Sequence, residues 1–181
     1  MNECVHLIQA TQGNAFILFT SYRMLSFVEQ QLVKKISYPL CVQGRKQRSE
    51  LLRDYLQTPS AVLLGTSSFW EGVDVKGDKL KLVVIDKLPF KSPGDPLYRH
   101  RLQRANQSGG NAFADIQIPE AIISLRQGVG RLIRDINDRG VVMIADSRLT
   151  GKNYGRQMVD SLPPMQRTRK LEEAIAFAKL L

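Results

Sequence analysis

The segment "QGVGRLIRD", residues 127–135, carries Gln127, Arg131 and Arg134 at i, i+4 and i+7. On a helix that spacing projects all three from one face. Ile122, Leu125, Val129, Leu132 and Ile133 fall on the opposite face and give the helix an apolar stripe. From Ala121 to Arg134 there are three arginines and no acid, whereas a face that merely meets water mixes the two signs. Gly128 and Gly130 would each cost about 1 kcal/mol against Ala inside a helix. Close approach of another backbone or a ligand is the usual compensation. A fixed pair of guanidinium forks suits phosphate oxygens.

Other candidate groups follow short apolar runs. In "TSYRML" (20–25), Thr20 or Ser21 suits a helix N-cap, and free amides at a helix start make either a plain cap or a phosphate site. In "QGRKQR" (43–48), Gly44 permits a turn, and Arg45, Lys46 and Arg48 make it basic. "GTSSFWEGVDV" (65–75) is denser, with the hydroxyls of Thr66, Ser67 and Ser68 followed by Gly72 and Asp74. Hydroxyls and amides can hold a phosphate backbone, and a carboxylate can accept from ribose hydroxyls. Phe69 and Trp70 either stack on a base or anchor the loop; for Phe69 the core is the expectation. "KLPFKSPGDPLYRHRLQR" (87–104) leads into a helix with Arg99, His100, Arg101 and Arg104, either a solvated face or a wall for DNA.

The elements that would position these groups are legible from periodicity. "AFILF" (15–19), "YPLCV" (38–42), "AVLLG" (61–65), "KLVVID" (81–86) and "GVVMIAD" (140–146) are short and apolar on both faces, as buried parallel strands are. Amphipathic helices are expected over 21–35, 46–56, 96–106, 119–134, 152–161 and 169–181, with a mobile loop at 106–115. This alternation predicts an α/β domain with a mostly parallel central sheet flanked by helices. One domain is expected over 1–181, its C-terminal helix lying within 165–181. In such sheets ligands sit outside the carboxyl ends of the strands, where the candidates above fall.

The 181 residues carry a net charge of +9 and 43% hydrophobic residues, which suits a globular protein with an anionic partner. Cys4 and Cys41 are the only cysteines and adjoin apolar residues, so free thiols in a cytoplasmic protein are expected. With His6 and His100 the only histidines, and no HExxH or CxxC, no metal site is expected. No run reaches the ~20 apolar residues of a membrane span. "MNECVHLIQA" lacks the basic start and long apolar stretch of a signal peptide.

"QGVGRLIR" resembles motif VI of superfamily 2 helicases, QxxGRxxR; "GTSSFWEGVDVKG" resembles motif V and "LFTSYRML" motif IV. With "DKLPFKSPGDPL" and "DSRLTGKNYGRQMVDSLP", the likeness covers about residues 12–165 and is to the DinG/XPD group of ATP-dependent DNA helicases, on the bacterial DinG and YoaA branch. The resemblance implies the second of two RecA-like, three-layer motor domains, with ATP bound between the two and single-stranded DNA as the track. It implies that Arg131, Arg134 and Gln127 act on the ATP phosphates, with Glu71, Gly72 and Asp74 also at the nucleotide side. Thr20, Ser21, Tyr22, Arg23, Arg45, Thr66, Ser67 and Ser68 would hold DNA, Asp74 linking the two sites. Movement 5′ to 3′ and a role in DNA repair or replication come from the resemblance alone.

The chain departs from a whole helicase. It has no GxxxxGK[ST] and no Asp-Glu dipeptide; the resemblance implies that the phosphate loop and the Mg²⁺-binding acids belong to the first motor domain. Two cysteines cannot hold a [4Fe–4S] cluster, which would lie elsewhere in a full-length protein. The expectation is a C-terminal piece of a longer enzyme, itself inactive toward ATP. Two alternatives remain: a basic module that binds single strands without turnover, and half of an RNA helicase.

Overall fold

Runs of Val, Ile, Leu and Phe offer water no polar side chain, so as strands they must be covered on both faces. Five are: β1 (Ala15–Leu18), β2 (Leu40–Val42), β3 (Val62–Gly65), β4 (Leu82–Ile85) and β5 (Val141–Ile144). The computed structural model describes residues 1–66, 69, 79–133 and 138–181. The five strands form one sheet in the order β2-β3-β1-β4-β5, with every pairing parallel. Central β1 pairs Leu18 with Gly65 on one side and with Ile85 on the other, so the carboxyl ends are flush.

The strand order dictates the layers. From β1 the chain crosses to edge strand β2 through α2 (Tyr22–Leu32), and every later crossover runs the opposite way across the sheet. Right-handed crossovers in opposite directions lie on opposite faces. Accordingly α2, α1 (Asn2–Ala10) and α8 (Leu171–Ala178) share a core with Ala15, Ile17, Val62, Leu64, Leu82 and Val84. On the other face α3 (Arg48–Gln57), α5 (Ile118–Val129) and α7 (Asn153–Asp160) pack on Phe16, Leu18, Leu63, Val83 and Ile85. The alternation along each strand supplies both cores. This is the RecA-like three-layer arrangement, all-parallel among the described strands.

Two remaining helices are α4 (Pro96–Gln107) and α6 (Arg148–Gly151). Pro96 occupies the first turn of α4, and Asp95 caps it by accepting from the amides of Leu97 and Tyr98 at 2.8 and 3.0 Å.

Three expectations change. Residues 1–10 carry an unexpected helix, α1, whose Cys4, Val5, Leu7 and Ile8 are buried in the same core as Ala178 of α8. Stretch 106–115 is not all loop: a π-helical turn, Phe113–Gln117, starts inside it and runs into α5, held by Asn111 accepting from the Asp115 amide. The helix expected over 119–134 stops at Val129: after the Gly130 amide bonds Arg126 O, the next two amides bond only three residues back, Arg131 to Gly128 O and Leu132 to Val129 O.

Candidate functional site

The carboxyl edge of the sheet gathers the groups that follow each strand. After β1, Ser21 caps α2 and accepts from the Met24 amide at 3.3 Å. Thr20, Ser21, Tyr22 and Arg23 are all exposed there. The Thr20 amide is already taken, donating to Asp86 Oδ1 at 3.0 Å. Asp86, the residue after β4, has its second oxygen buried with no hydrogen-bond partner. Burial pushes its carboxyl above the ordinary value, against the Thr20 amide bond and the opposing pull of neighbouring Lys87.

After β2, Gly44 adopts φ +99°, a turn that favours glycine. It puts Arg45 on the surface, ion-paired to Glu29 of α2. Lys46 pairs with Asp54 at 2.7 Å and Glu50 at 3.4 Å, so Arg45 and Lys46 are both neutralised locally. After β3, Thr66 is only 5% exposed. Its amide and hydroxyl both donate to Gln43 Oε1, at 2.5 and 3.0 Å. Gln43 Nε2 donates in turn to the Tyr22 hydroxyl at 2.7 Å. Sequence reasoning passed over Gln43, although it directly follows β2 as Thr20 and Thr66 follow their strands.

Phe69 is in the core, fully buried with the Arg48 guanidinium 5.6 Å from its ring centre. Ser67, Ser68, Trp70, Glu71, Gly72 and Asp74 lie outside the described residues, as does Arg134.

After β5, Asp146 closes a ring with Arg148: Nε lies 3.0 Å from both carboxylate oxygens and Nη2 2.6 Å from Oδ2. Asp146 also accepts from the Leu88 amide at 2.8 Å, which ties the loop after β4 to β5. Burial would raise its carboxyl, but the Arg148 guanidinium and the Leu88 and Arg148 amides outweigh burial and hold it at about 2. The Arg148 guanidinium lies 5.3 Å over Phe90, whose ring stacks with Phe113 at 5.6 Å and meets Tyr154 edge-on at 5.6 Å. On α4, Arg101 bonds Glu120 at 2.6 Å and Lys91 joins it at 3.3 Å, so this basic face is partly paired.

The motif VI residues form a second locus. Gln127 is half-buried near the end of α5, and Arg131 falls past that end, in a turn whose amide donates to Gly128 O at 3.3 Å. The expected single face therefore breaks after Val129. Gly128 alone of the two glycines lies within the helix, and it is buried. Buried Leu132 pins the turn by packing against Gly140, the residue before β5. Arg131 thus sits by the amino end of β5, away from the strand ends that carry Thr20, Thr66 and Asp86.

Cys4 and Cys41 belong to cores on opposite faces of the sheet, a placement that fits neither a disulfide nor shared metal ligands. Burial raises both thiols, Cys4 to about 11. Among the described residues no three His, Cys, Asp or Glu side chains converge as a metal site. Nor is any described helix long and apolar enough to cross a membrane.

The family model of the helicase C-terminal domain matches residues 4–165. The ATP-dependent DNA helicase YoaA of Haemophilus influenzae is 48% identical over 171 residues, which are 94% of this chain and 27% of that protein. Its Escherichia coli counterpart is 46% identical over the same shares. The ATP-dependent helicase DinG of Mycobacterium tuberculosis is 36% identical over 181 residues, all of this chain and 27% of its own. The chain thus spans about a quarter of the length of these relatives. An apo XPD structure superposes with a TM-score of 0.64 at 22% identity, over 82% of this chain and 31% of that one, a likeness of fold.

Proposed function

Since the chain belongs to the helicase C-terminal domain family, we propose that it is the second motor domain of an ATP-dependent DNA helicase. In this reading it grips single-stranded DNA along the carboxyl edge of its sheet. It also closes on ATP and Mg²⁺ carried by a first motor domain of the same protein. The observation that carries the reading is the run of exposed hydroxyls and a cation at one end of the central strand: Thr20, Ser21, Tyr22 and Arg23 follow β1, while Arg45 after β2 is already paired with Glu29. Five strands spaced about 4.8 Å apart make the carboxyl edge roughly 19 Å long, room for a run of phosphates. The net charge of +9 favours the same polyanion.

Arg131 and Arg134 act on the phosphoryl transition state, where positioned guanidinium groups neutralise charge spread over oxygens. Gln127 orients water or phosphate beside them. ATP supplies the free energy when its γ-phosphate is cleaved. This chain contributes closure around the nucleotide and a grip on the strand that changes with closure. An iron–sulfur cluster, where the full-length protein has one, belongs to the other motor domain.

Fluorescence anisotropy with a labelled oligothymidylate at two salt concentrations tests the grip. Binding is expected to be weak and to fall with a log–log slope of about −0.7 per phosphate contacted. Affinity indifferent to salt would overturn the phosphate-led reading.

A further inference from the structure

Gln43 connects three neighbouring strand ends with one side chain. It follows β2, and its own amide extends the ladder by donating to Leu64 O at 3.0 Å. Its Oε1 receives both donors of Thr66, after β3, and its Nε2 donates to the hydroxyl of Tyr22, after β1. The orientation of this amide is not a matter of choice. The Thr66 backbone N–H can only donate, so the atom facing it is the carbonyl oxygen, and the NH₂ faces Tyr22.

A phenol oxygen that accepts an N–H must turn its own proton elsewhere. The Tyr22 side of this contact is open, the residue being 56% exposed. Its proton therefore turns away from Gln43, on the exposed edge after β1 that also carries Ser21 and Arg23. Accepting an N–H also polarises the O–H and strengthens it as a donor.

We propose that Gln43 is a positioning residue for nucleic-acid binding: anchored by Thr66, it fixes Tyr22 so that the phenol donates to a phosphate of a bound single strand. The proposal rests on the single-strand reading above. Thr66, though it resembles a phosphate ligand in the sequence, acts at one remove, as the anchor of Gln43.

The test uses the whole chain, the same labelled oligothymidylate, and the variants Tyr22→Phe, Gln43→Met and their double. Each single variant is expected to weaken binding about tenfold, the scale of one hydrogen bond to a charged group. The double should be no weaker than the weaker single. Because a phenol releases no counterion, the salt slope should stay unchanged. Penalties that multiply, or a slope that drops, overturn the relay. Hydrogen exchange at the Thr66 amide gives a readout free of DNA: it should accelerate in Gln43→Met and not in Tyr22→Phe. If Gln43→Met does not fold, Gln43→Glu retains the acceptor for Thr66 and loses the donor to Tyr22. It should keep the Thr66 amide protected and still weaken binding; an unprotected amide or unchanged binding overturns the proposal. A wild-type chain that fails to bind the oligonucleotide sinks the single-strand reading and the relay with it. Wild-type binding with multiplied penalties sinks the relay alone.

Discussion

Asp86 and Asp146 lie at the carboxyl ends of adjacent parallel strands, and their carboxyls are held on opposite sides of the ordinary value. Both are partly withdrawn from water, and burial raises each. Only Asp146 has a guanidinium against it, and the difference in partner decides the sign. The Asp146 carboxylate also adds to what burial does at Asp86 by repelling its charge. The two residues therefore make opposite contributions to stability as pH changes.

Asp146 is more acidic in the folded chain than its ordinary value of 3.8, at about 2. Its contribution is thus complete above the unfolded value and is lost as pH falls through the folded one. For a carboxylate whose side chain is 6% exposed, that amounts to about 2 kcal/mol. Asp146→Asn is expected to melt below wild type at pH 7. The gap should close as pH is lowered from about 4 toward 2. Thermal melts of both proteins across that range decide it, and a gap independent of pH would show that packing, not charge, is involved.

Asp86 runs the other way. Its folded carboxyl holds a proton more tightly than the unfolded one, so the folded chain gains no stability from ionising it. The cost is absent below the ordinary value of 3.8 and grows as pH rises through the folded one. Asp86→Asn keeps an acceptor for the Thr20 amide and removes the buried charge. The variant is expected to equal or exceed wild type in melting temperature at neutral pH, with the advantage vanishing in acid. A variant that melts well below wild type at pH 7 would mean that the charge is compensated.

Gly65 ends β3 where a Cβ would stand 2.8–2.9 Å from the inner atoms of Phe69. These atoms are near the root of a fully buried side chain, so they cannot swing aside cheaply. Gly65→Ala is therefore expected to cost about 1–3 kcal/mol, the range for overpacking a core. Urea denaturation reads the loss directly; an unchanged midpoint would show that Phe69 yields freely.

The strands were legible because their chemistry is nearly binary. "AFILF" and "KLVVID" allow no exposed face, and the strands fall within two residues of the expected ends. Strand-end reasoning placed Thr20, Ser21 and Thr66 at the carboxyl edge of the sheet, since a hydroxyl after a buried strand is visible in one dimension. What it could not show is which donors are already used. The Thr20 amide goes to Asp86, distant in sequence, and both Thr66 donors go to Gln43. Gln43 itself escaped notice because an amide beside a basic turn reads as solvated. The α1 helix was hidden for another reason: its apolar residues, Cys4, Val5, Leu7 and Ile8, find their partners far along the chain, on the sheet and on α8 at the other end. The motif VI helix was drawn too long because apolar periodicity continues through Leu132, which does pack inward, but from a turn.

Arg131 offers the sharpest test of the proposed division of labour between two motor domains. Its backbone is fixed from both sides: Gly130 ends α5, and buried Leu132 donates its amide to Val129 O at 3.0 Å while its side chain packs on Gly140. The side chain so mounted is half-exposed at the end of α5. In the full two-domain protein, Arg131→Ala is expected to lower kcat for ATP by 10³-fold or more. Arginine fingers contribute on the order of 10³–10⁵ in turnover, or roughly 4–7 kcal/mol. A surface ion pair contributes only ~0–1 kcal/mol, and to stability rather than rate. Affinity for single-stranded DNA should be largely retained, because Arg131 stands by the amino end of β5 and the strand-end groups lie at the other. Arg131→Lys should not restore turnover, since one ammonium cannot copy a planar fork. Three measurements on each variant decide it: kcat, melting temperature and DNA affinity. A variant that melts early yet turns over ATP normally would make Arg131 a structural residue of the turn, and the nucleotide would have to find its guanidinium elsewhere.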